Sequence, residues 1–400
     1  MASPPLVLIS GKDLLDRVGG HETYVRAHGL AAARLGFEPH IFCVGPRPRT
    51  TDASFGIVHH VPAPLPVALQ GPPFAAAVAR FLRGVPGPIG IHGFAIWAAA
   101  AALAGRAVSR RGVAAVPLAS AYGTRAYEVA AMQDGFVREL GAGQRFKYRA
   151  WLQWIRAVDD RVEGWGYARS RAVLVNYESV ARILNRAYGL GPTVRRIPYA
   201  SEDAFDEPVG LPPERGSGGP VPLVLAVSRH DPRKGLDVLL RALAELAAED
   251  VRFRACLVGS GALLESHRRL AAEFGLSELV AIPGRVDDVG PYFAEADVFV
   301  LPSLAEASGS VAVLEALRAG ASVVASACDG IPEDLEDGAE ALLVPPGDAD
   351  ALAGALRRLL GSPELRARLA AGGRRAHDRR FSASRLVAGL EAVYGELGIL

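Results

Sequence analysis

Short apolar runs recur along the chain, each followed by a longer stretch with apolar residues at helical spacing. In the first half these runs are Leu6–Ser10, His40–Val44, Ile57–Val61, Ile89–Ile91, Val113–Ala119, Ala172–Asn176 and Arg195–Pro198. In the second half they are Leu223–Ser228, Arg254–Val258, Val280–Pro283, Ala296–Leu301, Ser322–Ser326 and Leu342–Val344. A parallel sheet covered on both faces needs continuous apolar strands between helices, so the pattern predicts an α/β protein built from strand–helix crossovers. Residues 210–222, G-L-P-P-E-R-G-S-G-G-P-V-P, break the alternation as the clearest linker and place a domain boundary between Arg196 and Pro220. Two Rossmann-like domains are therefore expected, 1–205 and 206–380, followed by a C-terminal segment 381–400 that holds a last helix, Ala383–Leu397.

Composition narrows the partners. A length of 400 residues leaves room for two cores. The formal net charge of +1 supplies no global field for nucleic acid or anionic lipid. Cys43, Cys256 and Cys328 are few and scattered, which fits a reducing compartment and no disulfide scaffold. The chain opens directly into a strand without a signal-peptide pattern. Its longest apolar run, Phe94–Ala104, is shorter than the ~18 residues of a spanning helix. A cytoplasmic location is expected. The helix expected at Gln144–Gly164 has Tyr148, Trp151, Leu152, Ile155, Val158 and Val162 on one stripe, and Arg145, Lys147, Arg149 and Arg156 make it basic. Such a helix can lie on a membrane surface. A core-packed helix with a solvated basic face is the preferred reading, because Asp159, Asp160 and Glu163 dilute the charge.

The candidate chemistry centres on P-S-L-A-E-A-S-G-S-V-A-V-L-E-A-L-R-A-G, Pro302–Gly320. The strand before it breaks at Pro302, a small-residue loop comes next, and Val311, Leu314 and Leu317 begin a helix that Gly320 ends. The loop feeds a helix N-terminus, where unpaired amides and the dipole attract phosphate, and Ser308, Gly309, Ser310 and Val311 let an anion approach. Glu306 precedes this site, and Glu315 lies roughly 7.5 Å into the helix. Two carboxylates bracketing an anion site suit a nucleotide sugar, which has a sugar, a diphosphate and a ribose in line. Strand-end Arg229, with Lys234 five residues on, offers fixed cations for a departing diphosphate. Gly19 and Gly20, between the first strand and its helix, allow close backbone approach to an anion or sugar. His92 ends one strand and Tyr122 comes after another; with Arg125 and Glu128 they are acceptor-side candidates. Asp287 and Asp288 are expected to cap a helix.

The strand, Pro302-Ser303, Glu306, small-residue loop and L-E-A-L-R-A-G resemble the donor-site signature of the family 4 retaining glycosyltransferases. The R-x4-K-G of Arg229–Gly235 and the Gly19-Gly20 loop are similar to motifs of the same family. The resemblance implies a GT-B architecture, two such domains facing a central cleft, with the last helix crossing back to brace the first. It places Gly259 in a G-x-G loop near the nucleotide, and Arg285 and Val286 against the base. It implies retaining transfer of a sugar from a UDP- or GDP-sugar to a hydroxyl acceptor, with no cofactor and front-face departure of the diphosphate. No Asp-x-Asp motif stands in a suitable loop, so no metal is expected. Three positions depart from the family. Glu306 and Glu315 are separated by eight residues rather than seven, Tyr122 stands where many members have histidine, and Tyr199-Ala200 replaces part of a P-N-G. A non-catalytic relative that binds nucleotide sugar, and a GT-B sugar-nucleotide epimerase, are the alternatives.

Overall fold

The structure, a computed structural model, describes residues 3–15, 19–124, 126–127, 142–200, 205, 221–306 and 308–400. They fall into two compact units. One holds the described residues of 1–129, 142–207 and 381–400; the other holds those of 208–380.

The first unit runs β1 (Pro5–Ile9), α1 (Gly20–Arg34), β2 (Glu38–Val44), β3 (Arg49–Ala53), β4 (Gly56–Val61), α2 (Gly71–Phe81), β5 (Ile89–Phe94), α3 (Ala98–Ser109) and β6 (Ala115–Ser120). It continues through α4 (Ala142–Trp154), α5 (Asp160–Tyr167), β7 (Ala172–Val175), α6 (Glu178–Tyr188) and β8 (Val194–Arg196). Its sheet has the order β3-β4-β2-β1-β5-β6-β7-β8. Every pairing is parallel except β3 with β4. β3, R-T-T-D-A, is a strand that no apolar run announces: it is a mostly exposed edge with no second face to bury. Phe74, Val78, Ala100, Ala101 and Ala104 of α2 and α3 pack on Ile9, Ile89 and Ile91, so the longest apolar run of the chain is a buried helix.

The helix expected at Gln144–Gly164 is interrupted. Between α4 and α5 the residues Ile155–Asp159 form a π-helical turn. That turn rotates the stripe of α5 relative to that of α4, because it adds a residue to the 3.6-residue repeat. Leu152 and Ile155 are buried, but Trp151 is 43% exposed and Phe146 75%, so Trp151 does not belong to the packed stripe. Trp154 spans the π turn by donating Nε1–H to Asp159 Oδ1 at 3.0 Å. Asp159 and Glu163 are buried, and Glu163 accepts from Tyr167 at 3.0 Å; they are internal partners, not charges on a solvated face.

A final helix, Ala383–Glu396, also belongs to the first unit. Its Tyr394 ring meets Phe37 edge-on at 5.8 Å, and Arg195 donates to Glu396 at 2.6 and 3.1 Å. Among the described residues no helix is long and apolar enough to cross a membrane.

The second unit runs β9 (Leu223–Val227), α7 (Leu236–Ala248), β10 (Arg254–Val258), α8 (Leu264–Glu273), β11 (Val280–Gly284), α9 (Gly290–Glu295), β12 (Val298–Leu301), α10 (Val311–Ala319) and β13 (Ser322–Ser326). It ends with α11 (Ile331–Asp334), β14 (Leu342–Val344), α12 (Ala349–Gly361) and α13 (Pro363–Arg380). The sheet is wholly parallel, in the order β11-β10-β9-β12-β13-β14. Leu239, Leu243 and Leu246 of α7 and Leu356 and Leu359 of α12 cover its apolar strands. Strand order reverses between β9 and β12, where the loops leaving the two strands diverge and open a crevice at the carboxyl ends. In the first unit the same reversal falls between β1 and β5.

Under α1 lies a cluster of rings. His28 packs on Tyr24, Phe94 and His92, and Tyr24 stacks on Tyr199 at 5.2 Å. Burial pushes the histidines here toward the neutral form: His21 down to about 3, with Lys12 adding to it, and His28 down to about 4. His230 in the second unit falls to about 4, by burial and then by His267. Folding thus releases protons that the unfolded chain binds below its ordinary value of 6.5. The stability these groups contribute is complete above about pH 6.5 and is lost as pH falls toward 4. Urea unfolding at pH 7.5 and pH 5 should differ by a few kcal/mol, with pH 5 the less stable. Equal midpoints would show that the rings do not exclude the proton.

Candidate active site

The reversal between β9 and β12 brings together two loops that lie about 70 residues apart in sequence. The loop after β9 carries Arg229–Gly235 and the loop after β12 carries Pro302–Ser310. They interlock. Gly235 is left-handed (φ +59°), and a Cβ there would collide with the Pro302 carbonyl. Leu304 N–H donates to Arg233 O at 2.7 Å. From the other side Gly259, after β10, has φ +139° and faces the Ser228 carbonyl with no room for a side chain. Only glycine satisfies both the angle and the approach at these two positions.

This interlocking sets Lys234 against Glu306. The Lys234 ammonium lies 2.6 and 2.7 Å from the two Glu306 oxygens, with the side chains 13% and 6% exposed. Ser303 Oγ–H donates to the same carboxylate at 2.5 Å. The Glu306 amide donates to Asp329 Oδ2 at 2.6 Å, and Asp329 is itself held in the left-handed region (φ +48°). Where the sequence separates the two roles, cation on the diphosphate and carboxylate on the sugar, the structure joins the two groups directly. An ammonium has three donors and the carboxylate engages two, so one N–H is left. Arg229 is 61% exposed and held by Asp231 at 3.2 Å. Asp231 also caps the turn Pro232–Lys234 by accepting from Arg233 N–H at 3.1 Å. Sequence reasoning does not single out Asp231, although an aspartate before Pro-x-Lys is a legible cap.

Ser310 stands at the N-cap of α10 with extended backbone and no side-chain cap; the Val313 and Leu314 amides donate to Ser310 O, so the amides left without an acceptor within the helix are those of Val311 and Ala312. Ser308 and Gly309 are half-buried beside them, and Glu315 is half-buried one turn further on. Gly259 donates to Gly284 O at 2.9 Å; past it Arg285 is exposed and Val286 half-buried. The N-cap of α9 is Val289 and neither Asp287 nor Asp288, although Asp288, one residue earlier, accepts from Gly290 N–H at 2.8 Å. Burial, then Glu306 and Asp329, push the Cys328 thiol up to about 12, so it stays protonated and is no nucleophile. A buried pair, His230 and His267, joins Nδ1 to Nδ1 at 2.9 Å and braces the loop after β9; nothing in the spacing of the two residues announces it.

In the first unit Gly19 is the N-cap of α1, with Gly20 the first helical residue. Beside them His21 bonds Ser10 Oγ at 2.9 Å and faces Trp97 and Tyr122, and Glu22 is buried with Lys12 3.5 Å away. His21 is not among the sequence candidates; its one signal is its place directly after the glycine pair. His92 does not end its strand: β5 runs on to Phe94, so His92 lies inside it with no exposed surface, bonding Ser120 Oγ at 2.9 Å and stacking on Phe94. Tyr122 is half-buried and meets Tyr24 edge-on at 4.9 Å. Arg125 and Glu128 lie outside the described residues. Among the described residues Asp13, Cys43 and His60 bring potential ligand atoms within 4.8 Å of one another, and none of the donor-side candidates belongs to that group.

A glycosyltransferase family 4 model matches residues 18–200, and a glycosyl transferases group 1 model matches 221–362. The chain is 34% identical over 169 residues to a GDP-mannose-dependent alpha-(1-6)-phosphatidylinositol monomannoside mannosyltransferase of Mycolicibacterium smegmatis, covering 40% of this chain and 44% of that one. It is 32% identical over 240 residues to a D-inositol 3-phosphate glycosyltransferase of Streptomyces bingchenggensis, covering 56% and 52%. The chain thus spans about half the length of these curated relatives. Among solved structures, sucrose-phosphate synthase of Thermosynechococcus elongatus superposes with a TM-score of 0.77 at 24% identity, over 98% of this chain and 99% of that one. HepE of Anabaena, in complex with UDP and glucose, gives 0.69 at 15% identity over 98% and 99%. These likenesses show a shared fold, GT-B. With one family match lying on each of the two parallel sheets, the chain belongs to the family 4 glycosyltransferases of glycosyl transferases group 1.

Proposed function

We propose that this protein transfers a sugar from a nucleotide diphosphate sugar to a hydroxyl acceptor, with retention at the anomeric carbon and without a metal. The observation that carries the proposal is the buried Lys234–Glu306 pair joining the loops after β9 and β12, the second of which runs into the N-terminus of α10. The second unit takes the donor. Its diphosphate lies on the amides from Ser308 to Val311 and on the remaining N–H of Lys234, with Arg229 as the exposed second cation. Glu315 reaches the ribose and Glu306 the sugar; Gly259, Arg285 and Val286 border the base. A relative named for GDP-mannose and a neighbour holding UDP and glucose favour a GDP- or UDP-hexose. In the first unit Gly19 and Gly20 are donor-binding and Tyr122 is on the acceptor side. Three buried cysteines, none of them in a disulfide, fit a reducing, cytoplasmic setting.

In the transfer, the acceptor oxygen bonds to the anomeric carbon as the bond from that carbon to phosphate oxygen breaks. The departing phosphate oxygen takes the acceptor's proton on the same face. Negative charge grows on the nucleoside diphosphate, and two cations with helix amides stabilise it more in the transition state than in the donor.

A donor panel assayed by mass, with EDTA present, should show sugar transfer or slow donor hydrolysis for at least one nucleotide hexose. Binding without any turnover would make the chain a non-catalytic relative, and activity restored only by magnesium or manganese would overturn metal independence. Lys234→Ala and Arg229→Ala should each lower turnover by about 10²–10³; near-normal rates in both would remove the proposed leaving-group site.

The two glutamates should separate. Glu315→Gln should weaken free nucleoside diphosphate and intact donor alike, by about tenfold to a hundredfold, since both carry the ribose. Glu306→Gln should impair turnover while leaving nucleoside diphosphate affinity unchanged or tighter, because it releases Lys234 toward phosphate. Calorimetry on both variants decides it, and the reverse pattern would exchange the two roles.

A further inference from the structure

The helices α2 and α3 lie side by side on one face of the first unit's sheet. Their C-terminal ends come just before β5 and β6, at the sheet edge opposite the strand end that leads to Gly19. Between them runs a cavity of about 550 Å³ whose floor is mostly alanine. Arg80 and Arg83 line it from α2 and the residues just after it, and Arg106, Arg110 and Arg111 from α3 and the residues just after it. An adjoining cavity of about 420 Å³ shares Arg106 and Arg110 and adds Arg169. No aspartate or glutamate lines either one.

Three of these arginines are held in place. Arg111 donates to Ala79 O at 2.8 Å, while Arg106 and Arg169 lie over the Trp165 ring at 5.4 and 4.3 Å. Arg80, Arg83 and Arg110 have no ion pair among the described residues. Helix C-termini attract cations, and that alone places an arginine in a last turn. Two helix ends, however, offer roughly −0.5 charge each against five guanidinium groups. The chain as a whole carries +1, so the concentration is local. Like charges lining one groove repel over the Debye length of ~8–10 Å, and an anion bound between them relieves that repulsion. The cation type narrows the anion: no lysine lines either cavity, and the planar guanidinium fork matches phosphate oxygens two at a time.

We propose that the α2–α3 groove binds a ligand bearing two or more phosphate groups, at a site separate from the donor-binding residues of the second unit. The ligand is either a free polyphosphate or the headgroups of an anionic lipid surface. The test uses the full chain and the triple variant Arg80→Gln/Arg83→Gln/Arg110→Gln, three exposed side chains whose loss should leave the melting temperature and basal sugar transfer unchanged. Tripolyphosphate is titrated calorimetrically, and vesicles of phosphatidylglycerol and phosphatidylcholine are co-sedimented, each at 50 and 200 mM salt. Wild type should show a salt-sensitive binding event that the triple variant weakens at least tenfold and that Lys234→Ala leaves intact. Loss in the tripolyphosphate arm alone assigns the free anion, and loss in the vesicle arm assigns lipid. The corresponding triple lysine variant should recover only part of the affinity, because it restores charge without the fork. If the triple glutamine variant binds both probes as wild type does, or if Lys234→Ala abolishes all binding, the groove is not a phosphate site.

Discussion

An ammonium and a carboxylate, both nearly out of water, hold the second unit's loops in register. Removing Lys234 and Glu306 from solvent costs several kcal/mol per ion, and their mutual attraction offsets this only because the geometry is close and the carboxylate is further satisfied. Ser303 supplies that further bond, and Asp329 fixes the Glu306 backbone. Such a pair is a weak source of net stability but a strong constraint on arrangement: removing one partner leaves a buried charge alone. The loops after β9 and β12 therefore have one favourable relation, and the second of them runs directly into the N-terminus of α10. A donor diphosphate would meet a site already polarised, with no reorganisation at the moment of reaction.

The first unit meets its corresponding strand ends with rings in place of charges. His21, Tyr24, His28, His92 and Phe94 fill the space under α1, and burial keeps the histidines neutral. Neutral imidazoles can accept as well as donate, so His21 can bond Ser10 with no counter-ion. The two units thus treat the ends of their central strands differently: one is organised by the Lys234–Glu306 pair, the other mostly by rings, with Lys12 and Glu22 at its margin.

Most of the strands are legible in the sequence because parallel strands buried on both faces must be continuously apolar. β3 is not, since an edge carries no such demand. The π turn at Ile155–Asp159 is invisible to a 3.6-residue count, and so that count puts Val158 and Val162 on one stripe with Leu152 and Ile155, whereas they pack on a different cluster. In the donor region, motif and spacing point to Arg229, Lys234, Glu306 and the helix start. Their direct pairing is hidden, because β9 and β12 are neighbours in the sheet but not in the chain. Despite the eight-residue spacing of the glutamates, Glu306 is in direct contact with Lys234. His92 illustrates the opposite limit: the strand is legible, but it continues through Gly93 and Phe94 and His28 of α1 packs over it, so His92 is an interior residue and not an exposed strand end.

The central claim is that Lys234 and Glu306 act as one unit that both orders the loops and receives the diphosphate. The most direct measurement is a double-mutant cycle of Lys234→Met and Glu306→Gln, read by urea unfolding with and without a saturating nucleoside diphosphate. The account predicts that each single change costs about 3–5 kcal/mol and that the double change costs clearly less than their sum. It also predicts that the nucleotide stabilises wild type but neither variant lacking Lys234. Effects additive within about 0.5 kcal/mol, with equal nucleotide stabilisation throughout, would contradict it.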